Sequence, residues 1–215
     1  MNIAYIFEHG DPILIATFFL LIVMSVASWY IIFSKIQMVR TENGHLNSFK
    51  MQYATSSDWP TKMTGREYEG KGSISRLLNE AYQLKPQLKD KSPEQRQKLL
   101  TLHLSQNLDE SRVRLDEGLT ILASIGSSAP FIGLFGTVWG IYGTLTDISS
   151  MGNASLNVIA GPMGEALIAT AVGLFTAIPA YIAYNYFLRR NRVLVQQLRH
   201  ICEQLTLYLE QAGEK

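Results

Sequence analysis

Three long stretches of this chain carry almost no charge, and that pattern limits the folds open to it. All 19 Lys and Arg residues lie in two blocks, residues 35–114 and 189–215. A soluble domain distributes its charges over its whole surface, whereas apolar stretches of about 18 residues or more are typical of membrane-spanning helices. The net charge of +1 offers no basic surface for a nucleic acid. The sequence therefore predicts an all-α membrane protein.

The three stretches have the length of membrane spans. Ile13–Phe33 is uncharged, and at about 1.5 Å per residue it crosses a hydrocarbon core of about 30 Å. It lacks a basic leader and a cleavage site, so we expect a retained span and not a signal peptide. The second run, 118–146, is also uncharged, and the third, 158–188, contains the single charge of Glu165.

The positions of the basic residues predict the orientation. Lys and Arg follow the first run, precede the second and follow the third, but none lies before residue 35 or between residues 147 and 157. Because basic residues favour the cytoplasmic side, we expect the N-terminus outside and the C-terminus inside. The predicted segments are an outer stub 1–12, a span 13–34, a cytoplasmic helical region 35–115, a span 116–146, an outer loop 147–157, a span 158–188 and a cytoplasmic C-terminal helix 189–215.

The cytoplasmic parts have their own helical signals. Residues 55–72 are rich in turn formers and are predicted to form a loop. Ser92 followed by Pro93 and Gln95 predicts a capped helix start, and this helix could run without a break into the second span. After Arg192, leucines and an isoleucine recur at spacings of three and four, which predicts an amphipathic helix that continues out of the third span.

Small residues recur on one face of the second and third spans. The two faces contain Pro130, Gly133, Thr137, Gly140 and Thr144, and Ala166, Thr170, Gly173, Ala177 and Ala180. Such spacings keep residues on one side of a helix and let backbones approach closely. We therefore expect helix packing at Gly133, Gly136, Gly140, Gly173 and Ala177. Pro130 and Pro179 are predicted to kink their helices.

Two threonines and one glutamate within the spans are candidate functional residues. Counted from the predicted loop, Thr137 and Thr170 lie at similar depths, so several copies of the chain could line a polar ring with them. The alternative is that each hydroxyl donates to its own helix. Glu165 is a functional candidate because a charge within a span is costly. It could instead lie at the outer interface, where Gly161-Pro162 would fit a helix start.

No catalytic, metal or cofactor site is predicted. The four histidines have no ligand spacing, and the single cysteine, Cys202, has no partner for a disulfide or metal site. The sequence contains no nucleophile–base grouping and no phosphate-binding loop. We therefore expect no enzyme activity.

Two motifs of the chain resemble the MotA/TolQ/ExbB proton channel family. One runs from Ala123 to Ile141 and includes APFIGLFGTVWGI; the other is AGPMGEALIATA at 160–171, followed by Gly173-Leu174, Ala177-Ile178-Pro179-Ala180 and Tyr184-Asn185. Residues 41–110 match only in character. The Ala160–Gly164 form favours the ExbB branch, with the TolQ branch of the Tol-Pal system as the alternative.

The resemblance implies a motor subunit. Such chains form a ring, expected to be a pentamer, in the bacterial inner membrane, so the resemblance implies a periplasmic N-terminus, a periplasmic loop 147–157 and a cytoplasmic C-terminus. The ring encloses the single spans of an ExbD-like partner whose membrane aspartate carries the proton. Thr137 and Thr170 would face that aspartate, and Glu165 would lie near the outer mouth. A TonB-like protein would pass the work to outer-membrane transporters of iron complexes, haem or vitamin B12. A passive membrane scaffold and an independent channel are the alternatives from other classes.

Overall fold

The structure, a computed structural model, describes residues 11–53, 71–89, 91–151 and 156–212. Its elements are α1 (Pro12–Tyr53), α2 (Gly72–Leu84), a 3₁₀ turn (Lys85–Leu88), α3 (Pro93–Asp116), α4 (Leu119–Met151) and α5 (Leu156–Ala212). The described ranges contain no strand, and three of their helical stretches are long and apolar enough to cross a membrane. The prediction of an all-α fold with three spans is confirmed. The stub 1–10 and most of the predicted loop 55–72 lie outside the described residues.

The chain divides into two compact units. The first, here named the membrane unit, comprises Met1–Ser34 and Gly118–Tyr186. The second, here named the polar unit, comprises Lys35–Glu117 and Phe187–Lys215. Each unit therefore contains parts of α1 and α5, and each has its own packing.

The membrane unit has a core of small residues and an apolar exterior. Ala129, Ala166, Ala169 and Ala180 are fully buried, together with Leu21. Large apolar side chains point outward instead, among them Phe19, Val26, Phe131, Val138, Leu167, Phe175 and Ile182. Small residues inside and large apolar residues outside suit a lipid environment, because helices associate there through close backbone packing and not through burial of large side chains.

The polar unit has an ordinary leucine-rich core. Leu46 and Phe49 of α1 pack there with Leu77 of α2 and Leu104 of α3. The core also contains the residues that gave the amphipathic pattern of the C-terminal helix, Leu194, Leu198, Ile201, Leu205 and Leu209. That prediction is confirmed, because all five are buried.

The boundary between α3 and α4 differs from the prediction. The start of α3 is as predicted: Ser92 Oγ accepts a hydrogen bond from the Gln95 backbone, and the Gln95 side chain accepts one from the Ser92 backbone. However, α3 ends at Asp116, and Gly118 has a φ of 77° before α4 begins. The expected unbroken helix is wrong because a positive φ, which glycine adopts without steric cost, interrupts the helical backbone there.

The carbonyl end of α3 is closed by side chains from α1 and α5. Lys35 Nζ donates to the Leu115 carbonyl at 2.9 Å and to the Arg114 carbonyl at 3.4 Å. Asn191 Nδ2 also donates to the Leu115 carbonyl. The last carbonyls of a helix have no partner within it, so these donors satisfy them in place of water.

The connection between α4 and α5 is shorter than the predicted loop 147–157. Helix α4 continues through Met151, and α5 already begins at Leu156. Residues 147–151 contain no Gly or Pro to stop a helix. Residues 152–155 lie outside the described residues.

Candidate functional site

Thr137 of α4 and Thr170 of α5 meet inside the membrane unit. Their Oγ1 atoms form a hydrogen bond with each other. Thr137 Oγ1 also lies 3.0 Å from the Ala166 carbonyl and 3.2 Å from the Gly133 carbonyl, and Thr170 Oγ1 lies 3.3 Å from that same Gly133 carbonyl. Each hydroxyl has one hydrogen to donate, so the pair has more acceptors than it can use at one time. We name these two residues the threonine pair.

Glycines on both helices permit this contact. A Cβ atom added to Gly133 would lie 2.7 Å from the Ala169 carbonyl oxygen. One added to Gly173 would lie 2.7 Å from the Ala129 carbonyl oxygen and 3.0 Å from the Gly133 Cα atom. The two helices therefore touch backbone to backbone, which brings the short threonine side chains within reach of each other.

Gly136 and Gly140 face a different set of neighbours. A Cβ on Gly136 would meet the Ala169 Cβ at 2.9 Å and the Thr17 Cγ2 at 3.0 Å, and one on Gly140 would meet the Ala166 Cβ at 2.7 Å. The GxxxG pair thus lies where α4 packs against both α5 and α1. Ala177 is buried beside Leu21 and Ala129.

The threonine pair is not equally enclosed on its two sides. Thr137 is only 9% exposed, whereas Thr170 is half-buried. Access to the pair is therefore on the Thr170 side. The surface around it is apolar, with Leu167 and Leu174 exposed on α5 and Val138 on α4.

Glu165 lies apart from the threonine pair. It is half-buried and makes no hydrogen bond or ion pair with another described residue. Five residues of helix separate it from Thr170, or about 7.5 Å along the axis. The alternative that Gly161-Pro162 starts the helix at this point is wrong, since α5 begins at Leu156 and contains Pro162 in its interior.

Both prolines that were expected to kink helices lie within continuous helices. Pro130 is inside α4 and Pro179 inside α5. A proline has no N–H to donate to the carbonyl four residues earlier, which for Pro130 is that of Gly126. A Cβ on Gly126 would lie 3.1 Å from the Tyr181 backbone nitrogen, so the helices also approach closely at this level. The kinks stay a prediction.

Sequence reasoning missed two polar features of the membrane unit. Thr176 is 1% exposed, and its Oγ1 has no hydrogen-bond partner among the described residues. The third run contains no Ser or Thr besides Thr170 and Thr176, and this scarcity was the signal in the sequence that could have pointed to Thr176. Asp11 was the other omission: its carboxylate accepts from the Ile13 backbone at 2.7 Å and from the Trp139 indole at 3.0 Å.

The described part of the chain contains no group of three or more His, Cys, Asp or Glu side chains that could hold an ion. The threonine pair is a neutral, hydrogen-bonded polar site between two apolar helices.

Comparison with known proteins places this chain in a family. Residues 70–200, which include the threonine pair and Glu165, match the MotA/TolQ/ExbB proton channel family. The chain belongs to that family. Its members in this comparison include a biopolymer transport protein ExbB of Neisseria meningitidis, 37% identical over 97% of both chains.

Other relatives in the MotA/TolQ/ExbB family divide between its branches. A biopolymer transport protein ExbB of Xanthomonas campestris pv. campestris is 51% identical over 92 residues, which are 43% of this chain and 36% of the relative. A Tol-Pal system protein TolQ of Pseudomonas aeruginosa is 30% identical over 81% of this chain and 78% of its own. The family match and these relatives confirm the resemblance that the two motifs indicated.

Proposed function

We propose that this chain is the ring-forming, proton-conducting subunit of an inner-membrane motor that energises TonB-dependent transport across the outer membrane. The ring, expected to be a pentamer, would enclose the span of an ExbD-like partner, and a TonB-like protein would carry the work to transporters of iron complexes, haem or vitamin B12. The observation that carries the proposal is the threonine pair, a neutral hydrogen-bonding group that two spans hold together. An ExbB relative that aligns along nearly the whole chain also supports the proposal.

The physical role of the threonine pair follows from its lack of charge. An elementary charge that crosses 100 mV is worth about 2.3 kcal/mol, which is the energy available per proton. A lysine or arginine at this position would hold a passing carboxylate in an ion pair, but a hydroxyl only donates or accepts a hydrogen bond. The described parts of α4 and α5 place no acid beside the pair. The titrating carboxyl group must then belong to the partner, and the chain alone should not conduct protons.

The proposed orientation rests on the basic residues. A periplasmic N-terminus puts the connection between α4 and α5 outside the cell and the polar unit in the cytoplasm. Glu165 would then lie on the periplasmic side of the threonine pair, near the outer mouth of the ring. The five small residues Gly133, Gly136, Gly140, Gly173 and Ala177 would act by packing, and Pro130 and Pro179 by kinking the spans.

Replacement of the threonine pair tests the proposal. We expect Thr137→Val and Thr170→Val to abolish energised uptake of iron chelates, because valine keeps the shape of threonine and removes its hydroxyl. Thr137→Ser and Thr170→Ser should retain uptake. Thr144→Val is the matched control, since Thr144 donates to its own helix at the Gly140 carbonyl. Uptake would be measured in cells in which this chain is the sole energising subunit.

The result also separates the alternatives. If both valine variants assemble and still support uptake, the threonine pair has no part in the motor, and a passive scaffold is favoured. Proton flux through the chain reconstituted without a partner would favour an independent channel. The TolQ-type function is favoured if the chain restores envelope integrity to cells without TolQ but gives no uptake in cells without ExbB.

A further inference from the structure

A cleft of about 550 Å³ lies along α5, directly after the third apolar run. Its lining begins at Leu188, the last residue of that run, and extends along α5 to Glu203. The C-terminal end of α3 forms the opposite wall with Arg112 and Asp116. Ligand sites in proteins commonly have volumes of about 300–1,000 Å³. We name this feature the basic cleft.

Arginines dominate the charge of the basic cleft. Arg112, Arg192 and Arg199 line it and are exposed, against the two acids Asp116 and Glu203. Arg112 Nε lies 3.9 Å from an Asp116 oxygen, which is a long contact. Arg192 and Arg199 make no hydrogen bond or ion pair with another described residue. Guanidinium donors are therefore available to an anion.

The wall nearest the apolar run is held in place by hydrogen bonds. Asn191 is 2% exposed, and its Nδ2 donates to the Leu115 carbonyl and, at 3.0 Å, to the Asp116 carboxylate. The other oxygen of that carboxylate is the one that faces Arg112. These bonds hold α3 against α5 at the level where Arg112 and Arg192 line the cleft.

Arg192 and Arg199 lie at different distances from the end of the apolar run, and these distances indicate the class of ligand. Arg192 follows Leu188 by four residues, or about 6 Å of helix, and Arg199 by eleven, or about 16 Å. The headgroup layer on each side of a bilayer is about 5–8 Å thick. With the end of the run at Leu188 taken as the boundary of the hydrocarbon core, Arg192 would lie within the layer that contains lipid phosphates, and Arg199 would lie beyond it.

We propose that the end of the basic cleft at Arg112 and Arg192 binds the phosphate of an anionic phospholipid headgroup. Basic pockets beside membrane helices bind such headgroups through charge-assisted hydrogen bonds. Leu188 and Val195 line the same cleft and offer apolar surface to the glycerol backbone and the first acyl carbons. This proposal does not depend on the threonine pair or on proton conduction.

The test is the retention of lipid by the full chain in its native oligomer. The protein would be equilibrated with bilayer nanodiscs of phosphatidylglycerol and phosphatidylcholine, extracted, and its bound lipid counted by native mass spectrometry. We expect selective retention of phosphatidylglycerol, a loss of about thirtyfold in Arg112→Gln/Arg192→Gln, and recovery in Arg112→Lys/Arg192→Lys. Arg199→Gln is the matched control, since it removes the same charge from the same cleft outside the headgroup layer, and it should retain the lipid.

Several results would overturn the proposal. Unchanged retention in Arg112→Gln/Arg192→Gln, or equal retention of phosphatidylcholine, would show that the cleft does not select anionic lipid. An equal loss in Arg199→Gln, or displacement of the lipid by millimolar glycerol 3-phosphate, would indicate a site for soluble anions along the whole cleft. Elution volume and melting temperature report whether the double variant is folded. If it is not, the single Arg192→Gln change at an exposed residue gives the same comparison.

Discussion

At the scale of single residues, the threonine pair exists because glycine stands one turn away on each helix. Gly133 precedes Thr137 by four residues, and Gly173 follows Thr170 by three. Each glycine contacts backbone atoms of the opposite helix, so neither position has room for a side chain. The short distance between the hydroxyls is therefore a property of the neighbouring glycines as much as of the threonines.

We expect Gly133→Ala to destabilise the membrane unit by about 1–3 kcal/mol, the usual cost of overpacking. The added Cβ would lie 2.7 Å from the Ala169 carbonyl oxygen, which belongs to a backbone that cannot rotate away. The measurement is the melting temperature of the protein in detergent. Gly143→Ala is the matched control, because nothing lies within 4 Å of its Cβ position. Equal melting temperatures of the two variants would contradict this account of the contact.

The depth of the threonine pair was predictable from the sequence, and part of its surroundings was not. Counting along two antiparallel spans places Thr137 and Thr170 at one level without knowledge of the packing. The buried Thr176 was missed because it lies outside the face of small residues from which the threonine pair was predicted. The bond from Trp139 to Asp11 joins residues 128 apart in sequence, and no local pattern predicts such a pair.

At the scale of elements, the two ends of α3 depend on contacts of different range in the sequence. The capping box that starts α3 was predictable because it depends on residues within one turn. The end of α3 was not, since its carbonyls are closed by Lys35 and Asn191, which are distant in sequence. Gly118, between a charged segment and an apolar run, was the local signal for the break.

We expect opposite effects of alanine at Gly118, which lies between α3 and α4, and at Gly44, which lies inside α1. Gly118→Ala should destabilise the protein by about 1–2 kcal/mol, because Gly118 has a φ of 77° that a Cβ disfavours. Gly44→Ala should stabilise it by up to about 1 kcal/mol, because Gly44 lies inside α1 with nothing within 4 Å of its Cβ position. Chemical denaturation of the two variants measures both. A stabilising Gly118→Ala would mean that α3 and α4 can join into one helix.

At the scale of the whole molecule, the two units follow different packing rules along the same helices. In the membrane unit, small residues are inside and large apolar residues outside, while the polar unit buries leucines as a soluble domain does. Periodicity predicted the leucine face of α5 because burial of large side chains gives a strong pattern. It could not predict which lipid-facing residues contact another chain, since lipid and protein surfaces are equally apolar.

The single cysteine reports on the polar unit. Cys202 packs against its leucine core, and burial, with a smaller effect of the nearby Glu203, raises the pKa of the thiol to about 11. Only the thiolate is alkylated, and its fraction at pH 8 falls about tenfold for each unit of pKa. We expect iodoacetamide to react with the native protein about a hundred times more slowly than with the chain unfolded in detergent. Equal rates would show that this part of α5 is open to water in the folded protein.

The threonine pair has more acceptors around it than hydrogens to donate, so it can either donate a hydrogen bond to a neighbouring group or accept one. Rotation about two C–O bonds lets the half-exposed Thr170 hydroxyl present either its hydrogen or a lone pair, while no heavy atom moves. The same hydroxyl could thus donate a hydrogen bond to a neighbouring carboxylate and accept one from the neutral acid. If the carboxyl group of a partner passes this point, as proposed above, both of its protonation states would find a hydrogen-bond partner there without movement of the backbone.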